Sequence, residues 1–211
     1  MRTIRTKVYQ FSELNEKAQQ TAIEKWRQQN CESGNNQTYY DEVIDTIKKV
    51  VELFDLKIGR QYDDIRYYHI DDNILQLSGI RLYKYILNNY GNTLFKPAYI
   101  RRIGRAVNWR QFICKVGKGV NGEYTAIYSR MRKNSDCVLT GVCYDNDILR
   151  PVYDFLQKPE KSVTFEDLIQ DIESAIRKTF EDTEEWVNSD EFIMDEIEAN
   201  NIEFTEDGRP F

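Results

Sequence analysis

The chain is poor in the residues that most chemistry needs. It holds a single histidine, His69. A structural or catalytic zinc centre takes three or four nitrogen, sulfur or carboxylate ligands, and neither a second histidine nor a cysteine stands at ligand spacing from His69. A serine–histidine relay would have only this imidazole, and no G-x-S-x-G turn is present. The context of His69, between Tyr68 and Ile70, reads as strand, so it is expected to be structural. Four cysteines (Cys31, Cys114, Cys137, Cys143) form no C-x-x-C pair. They read as free thiols of a reducing compartment, with Cys137 and Cys143 as small buried hydrophobes. No apolar run approaches the roughly 20 residues of a membrane span. The basic start, Met1 to Arg5, has no apolar stretch behind it, so no secretory leader is expected. These absences lead to an expectation of a cytoplasmic protein without cofactor or metal.

Against this stand 41% hydrophobic residues, 30% charged residues and 14 tyrosines. That mixture suits a packed domain rather than a disordered chain. The expected organisation is one domain over residues 1–211. Residues 3–11 read as a strand, followed by Ser12 as N-cap and a helix to 30 with Leu14, Ala18, Ala22 and Trp26 inward. A second helix is expected over 40–54 and two strands near 57–62 and 65–70, turning at Asp63-Asp64. A third helix spans 78–90 and closes at Gly91. A hairpin is expected around Asn121-Gly122, joining 111–116 to 124–131. Residues 137–144 read as an apolar strand and 145–156 as a short helix. Thr164 to Asp167 resembles a capping box, opening a helix to about 186. Ser189 caps another to about 200, and 202–205 form a last strand before a turn at Asp207-Gly208. Strands and helices do not alternate regularly. The expected class is therefore α+β, a small mixed or antiparallel sheet packed with about five to six helices.

Charge is sorted along the chain. Residues 96–133 carry 10 basic groups and one acid, net +9, whereas 160–211 carry four basic groups and 17 acids, net −13. The first reads as a basic, insertion-like segment, the second as an acidic helical part. One meaning is mutual neutralisation inside the monomer. The other is that at least one patch faces a partner of opposite charge. The basic segment also holds Tyr99, Trp109, Phe112, Tyr124 and Tyr128. Arginine forks match phosphates and aromatic faces stack on bases, so Arg101, Arg102, Arg105, Trp109, Arg110, Arg130, Arg132 and Lys133 are candidates for binding a nucleotide or single-stranded nucleic acid. The acidic part invites the converse, mimicry of nucleic acid. Residues 164–199 hold 13 acids and two bases. As a helix they would extend about 54 Å, roughly one net charge per 5 Å. Duplex DNA carries about one per 1.7 Å. The acidic part could therefore engage a basic groove without copying DNA closely. Its candidate contact residues are Glu184, Glu185, Asp190, Glu191, Asp195 and Glu196.

Other motifs are weak. Gly117-x-Gly119-x-x-Gly122 formally matches a dinucleotide loop. However, a strand-like run follows where a helix N-terminus should receive the pyrophosphate, so a hairpin is expected. Asp71-Asp72 and Asp145-x-Asp147 could serve a divalent cation in a nuclease, but neither has the glycine and glutamate of a calcium loop. Asp145 and Asn146 read as a helix N-cap.

Several stretches resemble small phage and prophage proteins of Gram-positive bacteria, loosely labelled antitoxin-like. They are Lys7 to Leu14 with Ala18, Ala22 and Trp26, then Cys137 to Gly141 with Asp145, Asp147, Ile148 and Leu149, and finally Ser189 to Phe192, Glu198 to Asn200 and Glu203 to Gly208. The likeness covers roughly 1–30, 75–95 and 135–211 and does not include the basic segment. It implies a mobile-element setting and supplies no catalytic residues. By analogy with phage accessory proteins, the expected role is a non-enzymatic inhibitor. It would bind a host protein, such as an antiviral defence effector, in the manner of an anti-CRISPR. Alternatives are a nucleotide or single-stranded nucleic-acid binder acting as a signal sponge, an antitoxin-like partner of a toxin, and a metal-dependent nuclease.

Overall fold

A computed structural model describes residues 7–33, 36–95 and 137–211; for residues 31–33 the backbone alone is described. The hairpin at 111–131, the glycine motif at 117–122 and all eight basic-segment candidates lie outside the described residues.

The protein is α+β and mostly helical. Among the described residues, four two-residue strands, β1 (Tyr9–Gln10), β2 (Lys57–Ile58), β3 (Ile65–Arg66) and β4 (Glu203–Phe204), form two antiparallel ladders, β1 with β4 and β2 with β3. The described residues contain nine α-helices, above the five to six expected: α1 (Glu16–Ser33), α2 (Gln37–Leu53), α3 (Asp72–Leu75), α4 (Gly79–Asn89), α5 (Gly91–Leu94), α6 (Tyr144–Ile148), α7 (Arg150–Gln157), α8 (Phe165–Val187) and α9 (Asp190–Ala199). The surplus comes from short helices. Three of them, α3, α5 and α6, have only four or five residues each.

Two compact units divide the chain. One gathers residues 1–41 with 180–211, the other 42–179. The chain passes between them within α2 and α8.

In the first unit a 3-10 turn (Phe11–Glu13) precedes α1, so Ser12 is not its cap. The side chain of Asn15 accepts the Ala18 N–H at 3.0 Å and supplies the start of α1 instead. Leu14, Ala18 and Ala22 are buried as their spacing requires. They pack with Phe11, Phe192, Ile193, Ile197 and Phe204, and Trp26 lies half-buried against them. After β4 the chain turns back so that Pro210 bridges Phe204; within this turn Gly208 takes φ +82°, and a Cβ there would stand 2.0 Å from the Ala18 carbonyl oxygen. Only glycine fits that approach.

The second unit is built on one face of α2 (Val43, Ile47, Val50, Val51) and the apolar stripe of α8 (Phe165, Leu168, Ile169, Ile172, Ile176). The capping box of α8 forms: Thr164 Oγ1 accepts the Asp167 N–H at 3.1 Å, and the Asp167 carboxylate accepts the Thr164 N–H at 2.8 Å. Residues 137–143 are not a strand but a turn running into α6, and Cys143 is exposed while Cys137 is half-buried. The alternation of apolar residues there reflects a turn wound about a buried acid. Asp145 is 1% exposed and does not cap its own helix. Its carboxylate accepts the N–H groups of Leu139 (2.6 Å), Thr140 (2.8 Å) and Gly141 (3.4 Å) and the hydroxyls of Thr140 (2.6 Å) and Thr46 (3.4 Å). A buried carboxylate requires such a full set of donors.

His69 lies in an exposed turn rather than a strand, with Nε2 donating to the Asp55 carbonyl at 2.6 Å. No described helix is long and apolar enough to cross a membrane.

Candidate interaction surface

The corner between α8 and α9 is set by Ser189. Its hydroxyl accepts the Phe192 N–H at 3.2 Å as N-cap of α9 and donates to the Trp186 carbonyl at 2.8 Å. The Ser189 N–H also reaches that carbonyl, at 3.0 Å. Asn188 Nδ2 donates to the Glu184 carbonyl at 2.7 Å. Two of the last carbonyls of α8, those of Glu184 and Trp186, are thus satisfied within the protein. From α1, Arg27 donates through Nε to the Asn188 carbonyl at 3.1 Å and forms a short ion pair with the Asp190 carboxylate.

This corner presents an aromatic group that charge counting missed. Trp186 stands beside the buried positions Thr179, Thr183 and Val187 on α8, yet 47% of its surface remains exposed. Two rings meet it edge to face. Tyr39 lies 5.1 Å away at 89° and Phe192 4.6 Å away at 62°, and these two meet each other at 5.4 Å. Such packing fixes the indole while leaving much of it in solvent. In the sequence, the detectable signal was a tryptophan within a run of acids, one residue off the apolar stripe.

Carboxylates dominate the surroundings. Residues 180–211 carry 12 acids and one base, Arg209. Of the six acids singled out from sequence, Glu184, Glu185, Glu191 and Asp195 are exposed, and none pairs with a cation among the described residues. Asp190 is engaged by Arg27, and Glu196 is half-buried with Asn200 Nδ2 3.5 Å from its carboxylate. Asp182, one helical turn before Trp186, is also exposed.

The carboxylates weighed for metal chemistry are not brought together. Asp71 caps α3 by accepting the Asn73 N–H at 2.7 Å, Asp72 is exposed, and Asp147 pairs with Arg150 at 3.8 Å. Asp145 is filled by its five donors. Among the described residues no three His, Cys, Asp or Glu side chains are grouped to hold a metal ion.

The fold and this surface define an α+β protein with an acidic, aromatic-centred helix corner. No protein family, characterised protein or solved structure matches the chain.

Proposed function

We propose that this is a non-enzymatic binding protein that docks the α8–α9 corner onto a basic groove of a host protein. The setting would be that of a phage or prophage accessory protein, and the partner an enzyme that handles nucleic acid, such as an antiviral defence effector. The observation that carries the reading is Trp186, held by Tyr39 and Phe192 yet half exposed, among outward carboxylates. Tryptophan is one of the residues enriched among interface hot spots. Acids around it attract a basic partner and speed its approach. A groove that handles nucleic acid is basic, because it must neutralise phosphates.

The test uses the full chain as bait in an extract of the bacterial host, beside a variant carrying Glu184→Lys, Glu185→Lys, Glu191→Lys and Asp195→Lys. The wild type should enrich a basic, nucleic-acid-handling protein at least about tenfold over the variant, as expected for losing several charge-complementary contacts. Single-stranded DNA added to the beads should release it. Equal capture by both baits, or capture untouched by DNA, overturns the reading.

A further inference from the structure

The observations bear further on what the anchor receives. We infer that Trp186 is a cation–π platform for an arginine side chain of the partner, so that the surface selects arginine over lysine. The inference deepens the proposed function and rests on it.

The geometry supports a platform rather than an insertion knob. A knob that buries itself in a partner's pocket must shed the contacts around it. Trp186 is instead braced by two adjoining rings, Tyr39 at 5.1 Å and Phe192 at 4.6 Å, which also meet each other, and its carbonyl is pinned by the hydroxyl and N–H of Ser189. Its ring orientation is set before any partner arrives, which lowers the ordering cost of binding. Tryptophan has the strongest quadrupole of the aromatic side chains, and a cation within about 6 Å of the ring centre is attracted to its face.

Charge complementarity selects the occupant. The exposed carboxylates of Asp182, Glu185, Glu184, Glu191 and Asp195 favour a cation and disfavour an apolar or acidic visitor. Arg27, which reaches this corner from α1, is held by Asp190 and by the Asn188 carbonyl. A guanidinium fits such a place better than an ammonium. It is planar, is less strongly hydrated, stacks on indole and can fork onto a neighbouring carboxylate at the same time. A groove that grips phosphates through arginines presents the same groups, which connects this detail to the partner class proposed above.

The measurement is a calorimetric titration of the full chain at low salt with two synthetic peptides, nona-arginine and nona-lysine. For the wild type, the arginine peptide should bind at least about fivefold more tightly, in keeping with one cation–π contact. Trp186→Leu should bring the arginine peptide down to the level of the lysine peptide and change lysine binding less than about twofold. Trp186→Phe, which keeps a ring of weaker quadrupole and braces the same neighbours, should fall between; it decides the matter if the leucine variant melts early. Equal affinity of the wild type for both peptides overturns the inference, as does a preference that survives both substitutions, while leaving the acidic surface standing. If neither peptide binds, the inference and the proposed function are overturned together.

Discussion

The two units put their carboxylates to opposite uses. Among the described residues of 42–179, several acids are engaged by the protein itself. Asp145 is enclosed by five donors. Asp64 accepts Arg66 Nη2 at 3.0 Å and the Arg60 N–H at 3.1 Å, and the Arg66 fork holds its carboxyl below the ordinary range. Arg177 reaches both Asp63 (3.3 Å) and Glu173 (3.5 Å), and Glu166 accepts the Tyr67 hydroxyl at 3.3 Å. In residues 180–211 most acids point outward without such partners, around a tryptophan that is held but not covered. Carboxylates consumed by hydrogen bonds build structure. Carboxylates left in solvent stabilise little, and their like-charge repulsion opposes folding, so they need another reason to be there.

That contrast can be broken at several points. The largest effect is expected at Asp145: Asp145→Ala strands buried donors and should lower the free energy of unfolding by about 3 kcal/mol in a denaturant titration. Next comes Gly208→Ala in the first unit. A methyl group 2.0 Å from the Ala18 carbonyl oxygen, at φ +82°, should cost about 2–3 kcal/mol by the same assay. Thr164→Ala removes the cap of α8 and should cost about 1 kcal/mol. It should also alter the acid limb of stability. The Thr164 N–H, with its hydroxyl, holds the Asp167 carboxyl below its ordinary pKa. The folded value lies under the unfolded one, so this contribution is complete above the ordinary carboxylate range and fades as pH falls through the lowered value. The variant keeps the N–H and loses only the hydroxyl's share of this contribution. In a melting series from pH 6 to pH 2 the gap between wild type and variant should therefore narrow toward acid without closing, because the bond from the Asp167 N–H to Thr164 Oγ1 is lost at every pH. The smallest stability effect belongs to the outward acids. Joint neutralisation of Glu184, Glu185, Glu191 and Asp195 to their amides should shift unfolding by less than about 1 kcal/mol, in the stabilising direction, because it relieves repulsion. A large loss there would erase the distinction between the units.

Local rules made some of this legible in the sequence. Thr164 with Asp167, and Ser189 before Phe192, announced their caps because capping depends on residues three apart. The 3–4 spacing of Phe165, Leu168, Ile169, Ile172 and Ile176 marked the buried face of α8. What failed depended on distant contacts. Residues 137–143 looked strand-like because Val138, Leu139 and Val142 are apolar; their turn is dictated by Asp145, which looked like a cap. The strands near 57 and 65 are two residues each, and the chain between them turns about Asp64, whose carbonyl accepts the Gly59 N–H and whose carboxylate accepts the Arg60 N–H. The acidic surface was legible as composition. Its division into engaged Asp190, half-buried Glu196 and four outward acids was not, since Arg27 lies more than 160 positions away along the chain. Trp186 carried a local signal, one residue off the apolar stripe, that counting charges does not register.

The most direct test is collisional quenching of the Trp186 indole in a Trp26→Phe, Trp109→Phe background, with caesium and iodide as quenchers of opposite charge. An indole in solvent among unpaired carboxylates concentrates the cation and repels the anion. With each Stern–Volmer constant divided by that of the same quencher for free N-acetyltryptophanamide, the caesium ratio should exceed the iodide ratio at low salt, and the gap should close as salt screens the field. If the iodide ratio equals or exceeds the caesium ratio, the carboxylates do not dominate the field at that face, and it is not an acidic surface open to a basic partner.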